Sequence, residues 1–299
     1  MMGIGLPQTR DGGATSARGL LAYLASAEQA GYDSVWVAEG PLSRPSLDPL
    51  AVLAVAATQT TRMRLGSNVL ALLHYQPVPL ARSIATLDRL SGGRVTLGLG
   101  LGGADLGGPR TGRAERFEQA IALLRRLWNG TAGPGDPASE SFAGLQPATT
   151  PVQAPIPIWI GASAPSALRR AARIADGWIG SGRADHHRFA EGAALILDAL
   201  QDHGREPGDF MIAKRSYVAI GQRPSDIEAW FRSATGGGPP PGDAVIAGDP
   251  AEIEGRLTAL RAAGARALTI QPVGRDERGQ MEALAEHGAV ERLTLPERN

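Results

Sequence analysis

Eight short segments of the chain are apolar almost without interruption: GIGL (3–6), SVWVA (34–38), MRLGSNVLAL (63–72), RVTLGLG (94–100), IPIWIG (156–161), DGWIGS (176–181), FMIAKRSYVAI (210–220) and ALTIQPV (267–273). Continuous rather than alternating apolarity marks strands covered on both faces, and therefore a parallel sheet. Helical patterns lie between them. Residues 16–30 place Leu20, Leu24 and Ala27 on one face, with Gly31 as the stop; residues 48–60 open with Asp48-Pro49, an N-cap followed by proline. Residues 113–128 carry Phe117, Ile121, Leu124 and Trp128 at helical spacing. Residues 166–175, 187–200, 225–234 and 249–264 complete the set, the last opening with Asp249-Pro250.

Strands alternating with helices predict a single (β/α)8 barrel, a TIM barrel, across residues 1–299. A doubly wound sheet is the alternative, but eight regular repeats favour closure. Two stretches interrupt the rhythm: a Gly/Pro/Ser/Thr-rich insertion at 130–155 and the loop GGGPPPG at 236–242. Both read as excursions at the barrel ends rather than as linkers between domains.

Composition narrows the function. Thirty basic residues balance thirty acidic ones, which argues against nucleic acid or an anionic membrane as the main partner. The absence of cysteine removes disulfides, thiolate metal sites and a cysteine nucleophile. The longest apolar run, LAVLAVAA at 50–57, is too short to span a bilayer. The start, MMGIGLPQ, lacks the pattern of a signal peptide, so a cytoplasmic protein is expected. Lys214 is the only lysine, and there are 39 glycines and 22 prolines.

Familiar catalytic motifs are missing: there is no GxSxG, no HExxH and no Walker lysine. GLGLGG at 98–103 fits GxGxxG, but no helical pattern begins on its third glycine. It reads better as a strand end approached closely by a flat ligand or by another strand. The adjacent His186 and His187 point different ways on a helix and make a poor metal site. Gly161, Ala162, Ser163 and Ala164 run from a strand into a helix start, an arrangement that suits an anion, with Arg113 or Arg116 adding charge; plain N-capping by Ser163 or Ser166 is the alternative. Glu39 closes the second strand on what would be the catalytic face, and His74 and Tyr75 follow the third. An N-cap or loop salt bridge for Glu39 and a solvent-facing His74 are the plain readings. Trp36, Trp159 and Trp178 lie in strands and read as core.

The stretches GYDSVWVAEG (31–40), TTRMRLGSNV (60–69), LARSIATLDRLSGGRVTLGLGLGG (80–103), PIPIWIGASAPSALRRAARIADGWIGSG (155–182) and AGDPAEIEGRLTALRAAGA (247–265) together resemble the bacterial luciferase-like family of flavin- and deazaflavin-dependent oxidoreductases. The resemblance implies a (β/α)8 barrel with an insertion after the fourth helix and a cofactor across the C-terminal face. It implies a non-proline cis peptide at Asn68–Val69, a backstop that bends the cofactor ring. It puts the phosphate on Gly161, Ala162, Ser163 and Ala164, and a second tail-binding loop at Ser181 and Gly182.

Three positions depart from the family's patterns. Where the sugar-phosphate dehydrogenases carry Asp-His, this chain has Glu39-Gly40, and Gly103 stands at their glutamate; a sugar phosphate is therefore not the expected substrate. Leu101 stands near the luciferases' phosphate-binding arginine. A pocket of amides and hydroxyls suits the singly charged phosphodiester of the deazaflavin coenzyme F420 better than the phosphate monoester of FMN, which Arg113 keeps as the alternative. The expected chemistry is hydride transfer from reduced F420 to a small organic substrate, with His74, Tyr75 and Glu39, in that order, as proton donors. The rival readings are an FMNH2-dependent monooxygenase using oxygen and a non-catalytic flavin-binding protein. The resemblance also implies a homodimer, for which the alanine-rich helix at 48–60 could serve.

Overall fold

A computed structural model describes residues 1–7, 9–10, 13–14, 16–40, 46–102, 111–131, 149–240 and 242–294. Eight parallel strands close into a barrel: β1 (Met2–Gly5), β2 (Ser34–Val37), β3 (Arg64–Ser67), β4 (Val95–Gly100), β5 (Ile158–Gly161), β6 (Gly177–Gly180), β7 (Met211–Ile220) and β8 (Ala267–Pro272). Closure is made by β8, which pairs β7 at Ala213↔Ala267 and β1 at Gly3↔Thr269. The helices outside are α1 (Ala17–Gln29), α2 (Pro49–Gln59), α3 (Pro77–Ser91), α4 (Arg113–Trp128), α5 (Pro165–Ile174), α6 (His186–Asp202), α7 (Pro224–Thr235), α8 (Pro250–Ala262), α9 (Glu277–Glu286) and α10 (Ala289–Leu293). The expected TIM barrel is therefore present.

Helix starts follow the sequence signals. Asp48 caps α2 through Ala51 N at 2.8 Å, and Asp249 and Glu252 form a reciprocal capping box on α8. Gly31 follows α1 with φ +87°. The sequence reading missed α3, although Ala81, Ile84, Ala85 and Asp88 are buried at helical spacing. Two prolines in its first turn and a charged residue on its inner face hide the pattern. It also missed Val245–Gly248, a strand that pairs only with the far half of β7, from Tyr217 onward. The third apolar segment divides into β3 and the two-residue strand Leu70–Ala71. Within 130–155, residues 132–148 lie outside the described residues. Of the 236–242 loop, the described residues form neither helix nor strand, and Gly236 ends α7 at φ +80°.

The barrel is plugged by two tryptophans. Trp36 and Trp159 stack with centroids 5.1 Å apart, among Ile179, Ala213 and Ala267. Their width demands bare backbone opposite: a Cβ on Gly66 would stand 2.3 Å from the Trp36 ring, and one on Gly177 2.7 Å from Trp159. Trp178 faces outward and stacks on Phe189 at 5.4 Å.

The N-terminal end of the barrel is tied by buried charge. Asp88 accepts from Val152 N (2.7 Å), Gln153 N (2.8 Å) and Gln153 Nε2 (2.6 Å). Arg94 donates to Ala57 O, Thr60 O, Thr60 Oγ1, Met63 O and Ser91 O, closing the C-terminus of α2. The ATLDRLSGGR block thus serves the end of the barrel opposite the site.

Candidate functional site

The C-terminal mouth is shaped by an interruption in the third strand. β3 pairs β4 at Leu65↔Val95 and Gly66↔Thr96, and pairing resumes at Leu70↔Leu99 and Ala71↔Gly100. Between, the Ser67 hydroxyl stands in for the ladder: it accepts from Gly98 N at 2.9 Å and donates to Gly98 O at 2.8 Å. The peptide Asn68–Val69 is cis, as the resemblance implied. Asn68 N donates to Val37 O at 2.7 Å, and Arg215 Nη1 donates to Asn68 O at 3.3 Å. The Val69 side chain then lies across β4 and β5. A Cβ on Gly100 would meet it at 2.7 Å and one on Gly161 at 3.0 Å, while one on Gly98 would stand 1.9 Å from Ser67 O. The glycines at 98 and 100 are there for close approach, by the neighbouring strand.

Glu39 and His74 come together beside this interruption. Glu39 N donates to Val69 O at 3.3 Å, and Glu39 Oε2 accepts from Ala71 N at 2.6 Å. Glu39 Oε1 lies 2.9 Å from Nδ1 of His74, which ends the one-turn 3-10 helix Leu72–His74. A carboxylate at Nδ1 makes that nitrogen the N–H donor and turns Nε2 to other use. His74 Nε2 is buried and, among the described residues, has no hydrogen-bond partner. The Tyr75 hydroxyl is pushed up from its ordinary value, first by burial, then by the charges of Glu39 and Asp48 and a hydrogen bond to Glu39. The three residues singled out as proton donors thus form one cluster, and the solvent-facing reading of His74 fails.

On the opposite rim, Gly161–Ala164 lead into α5. Ala164 is the N-cap and makes no side-chain hydrogen bond, so neither Ser163 nor Ser166 caps the helix; Ser163 is exposed. The first turn of α5 is left open toward the mouth. Ala162 O accepts from Trp178 Nε1 at 3.0 Å, which fixes this loop to β6. Ser181 Oγ accepts from Arg183 N, and Gly182 packs under Tyr217, whose ring a Cβ would meet at 2.8 Å. Arg113 is buried at the start of α4, and α4 packs on α3 and on the turn ending at His74. Gly103 and the rest of 103–110 lie outside the described residues.

Sequence reasoning passed over Arg215. It lies on β7 between Lys214 and Ser216, and its guanidinium stands 5.1 Å from the Tyr217 ring centroid. Alternate residues of a strand face opposite ways; since Ala213 faces the lumen with Trp36 and Trp159, Arg215 does too. That parity was the available signal. His187 pairs with Glu191 at 3.2 Å on an exposed face. Among the described residues no three potential ligands cluster as a metal site, and no helix is long and apolar enough to cross a membrane.

Known proteins agree with this architecture. An F420-dependent glucose-6-phosphate dehydrogenase from Beutenbergia cavernae is 39% identical over 212 residues, 62% of this chain and 61% of that protein. A 5,10-methylenetetrahydromethanopterin reductase from Archaeoglobus fulgidus is 31% identical over 59% of this chain and 52% of that protein. The aligned part is therefore less than two thirds of either relative's length. Among solved structures, an F420-dependent secondary alcohol dehydrogenase superposes with a TM-score of 0.79 at 16% identity, covering 97% of this chain and 98% of the other. The monooxygenase RslO1 from Streptomyces bottropensis gives 0.77 at 21% identity, covering 96% of this chain and 98% of that one. At such identities the likeness is one of fold. The luciferase-like monooxygenase family model matches residues 2–295, and the chain belongs to that family.

Proposed function

We propose that the protein is an oxidoreductase that transfers hydride between the deazaflavin coenzyme F420 and a small organic substrate at the C-terminal mouth of the barrel. The observation that carries this reading is His74 Nε2, buried and unpartnered among the described residues, with Glu39 holding the other ring nitrogen at 2.9 Å beside the Asn68–Val69 peptide. The F420-dependence in the names of the relatives supports the choice of cofactor.

The residues of the mouth fit such a group. Val69 over Gly100 and Gly161 makes a firm wall for a flat ring. The open first turn of α5, with Gly161, Ala162, Ser163 and Ala164, offers amides to one phosphate, and Ser181 and Gly182 offer a second polar strip for the tail. Buried Arg113 would add positive charge from α4. When bound, the deazaflavin supplies the hydride. The chain orients the partners, excludes water and handles the proton. In its imidazolium form His74 would give the Nε2 proton to the reduced substrate atom and return to the neutral Nδ1–H tautomer that Glu39 holds and aims, and Tyr75, held in its neutral form, would be a second donor. The relatives' substrates differ from one another, and Glu39-Gly40 differs from the dehydrogenases' Asp-His, so the substrate class is set no more finely than a C=C, C=N or C=O group.

The reading extends to a homodimer in the cytoplasm. Its face would be α2, where Val55 is outward and 37% exposed.

The deciding experiment titrates purified protein with F420 and with FMN. The expected result is tight F420 binding, weakened at least tenfold by Ser163→Asp, which places a negative charge at the open helix end. Tight FMN binding with weak F420 binding, and oxygen consumption on reduction, would establish the monooxygenase instead.

A further inference from the structure

A cavity of about 260 Å³ lies outside the barrel wall, between β7, the start of α6, Val245–Gly248 and α8. The outward parity of β7 puts Lys214 and Ser216 on this side, away from Arg215 and the mouth. Lys214 is 2% exposed, and its Nζ donates to Ser181 O at 2.6 Å and Ala184 O at 2.8 Å. An ammonium has three N–H donors, so one is left over. Ser216 is 1% exposed, lines the cavity, and its Oγ has no hydrogen-bond partner among the described residues. Buried hydroxyls are ordinarily paired.

The acidic residues of the cavity are already engaged. Asp243 Oδ2 accepts from Arg256 at 2.8 Å, and Asp185 Oδ1 accepts from Arg188 N at 2.8 Å as the N-cap of α6. His186 opens that helix, so the positive end of its dipole also points here. Each carboxylate is held through one oxygen, and Lys214 Nζ also stands 6.0 Å from the Phe189 ring centroid, while the Lys214 ammonium and the Ser216 hydroxyl face the cavity two positions apart on one strand face. The volume is near the lower bound of small-molecule pockets, at roughly 300 Å³.

We infer that this cavity is a second binding site, for a small carboxylate- or phosphate-bearing anion held by Lys214 and Ser216. The anion would also explain an otherwise costly arrangement. Burial, assisted by Arg215 and opposed by Asp185, holds the Lys214 ammonium down to about 7. An anion beside it would favour the charged form, so binding above neutral pH would take up a proton. Because Lys214 also holds the carbonyls of Ser181 and Ala184, an occupant would act on the loop that leads into α6.

Isothermal titration of the full chain tests this, with inorganic phosphate in one arm and acetate in the other. Both are run on the Ser163→Asp variant, in which the open end of α5 is blocked. The expected result is saturable binding of one equivalent of at least one anion. Affinity should fall about tenfold per pH unit above 7, and binding at pH 8 should take up close to one proton. Ser216→Ala should weaken it about tenfold, and Ala259→Trp, an exposed α8 position lining the cavity, should abolish it with the thermal midpoint unchanged. Absence of saturable binding by both anions overturns the proposal. So does binding that survives Ser216→Ala and Ala259→Trp undiminished, which would leave Lys214 as a peg for the 181–184 loop.

Discussion

Glu39 Oε1 and His74 Nδ1 lie 2.9 Å apart, although 35 residues separate them in the chain. The pair is built by two strand ends that the barrel makes neighbours. If Glu39 aims a proton-delivering imidazole, Glu39→Gln and His74→Gln should each lower the single-turnover rate of hydride transfer by about 100-fold. F420 affinity should stay within about threefold of the parent protein. The double variant should be little worse than either single one, because the two residues act as a unit. Rates are read from the cofactor's absorbance. A fall in affinity that accounts for the whole effect would assign the pair to binding instead.

Tyr75 makes a separate claim about pH. Its hydroxyl is raised from an already alkaline ordinary value by burial and by Glu39, so it stays protonated throughout the working range. Tyr75→Phe should therefore lower the rate without moving any inflection of the pH–rate profile below pH 10. An alkaline limb that disappears in this variant would show that the tyrosine itself titrates there.

The glycines of β4 that face the interrupted third strand predict a graded series. Gly98→Ala puts a methyl 1.9 Å from the Ser67 carbonyl oxygen, a backbone atom that cannot swing aside, and should cost about 3 kcal/mol or more in urea unfolding. Gly100→Ala meets the Val69 methyl at 2.7 Å, which can give, and should cost about 1–2 kcal/mol. Adding Val69→Ala should recover part of the second loss and none of the first. A double-mutant cycle measures the difference.

The strands were legible because parallel strands covered on both faces have no polar alternation to confuse the reading. Glu39 was legible as a polar residue at a strand end on the C-terminal face of the barrel, and the open end of α5 as a small-residue helix start. Their partners were not. Nothing local in LLHYQP says that His74 folds back on Glu39, since closure of the barrel decides it. GLGLGG showed that something approaches closely, but not that the Ser67 carbonyl and the Val69 side chain are what approach. Lys214, Arg215 and Ser216 are adjacent in sequence and face two different compartments, which only the register of β7 separates.

The most recognisable motif, ATLDRLSGGR, predicts stability rather than rate. Asp88 is fully buried and satisfies three donors of Val152 and Gln153, and the Arg94 guanidinium serves five acceptors, four of them at the α2 terminus and the turn after it. Asp88→Ala or Arg94→Ala should cost about 3–5 kcal/mol, because the first leaves Val152 N and Gln153 N without their acceptor and the second leaves the carbonyls of Ala57, Thr60 and Met63 without their guanidinium donor. Arg94→Lys should rescue little, since an ammonium cannot span the same acceptors. Protein that remains folded should keep its hydride-transfer rate. Urea midpoints paired with single-turnover rates separate the two effects.

Lys214 predicts an unusual dependence of stability on pH. In the folded chain burial holds it down to about 7, whereas in the unfolded chain it titrates near 10.4. Between those values the unfolded state binds the additional proton, so the unfolding free energy should rise with pH, by up to about 1.4 kcal/mol per unit. Below pH 7 both states are protonated and the slope should vanish, with the protein at its least stable as far as this group is concerned. Lys214→Met removes the titration, so the urea midpoint of the variant should be flat from pH 7 to 9.5 where the parent's climbs. The variant also leaves Ser181 O and Ala184 O without their donor, a fixed loss at every pH. The two terms oppose each other at low pH and not at high pH. The variant's deficit should therefore be small at pH 6 and grow as the pH rises. A parent slope that persists unchanged in Lys214→Met would place the titrating group elsewhere.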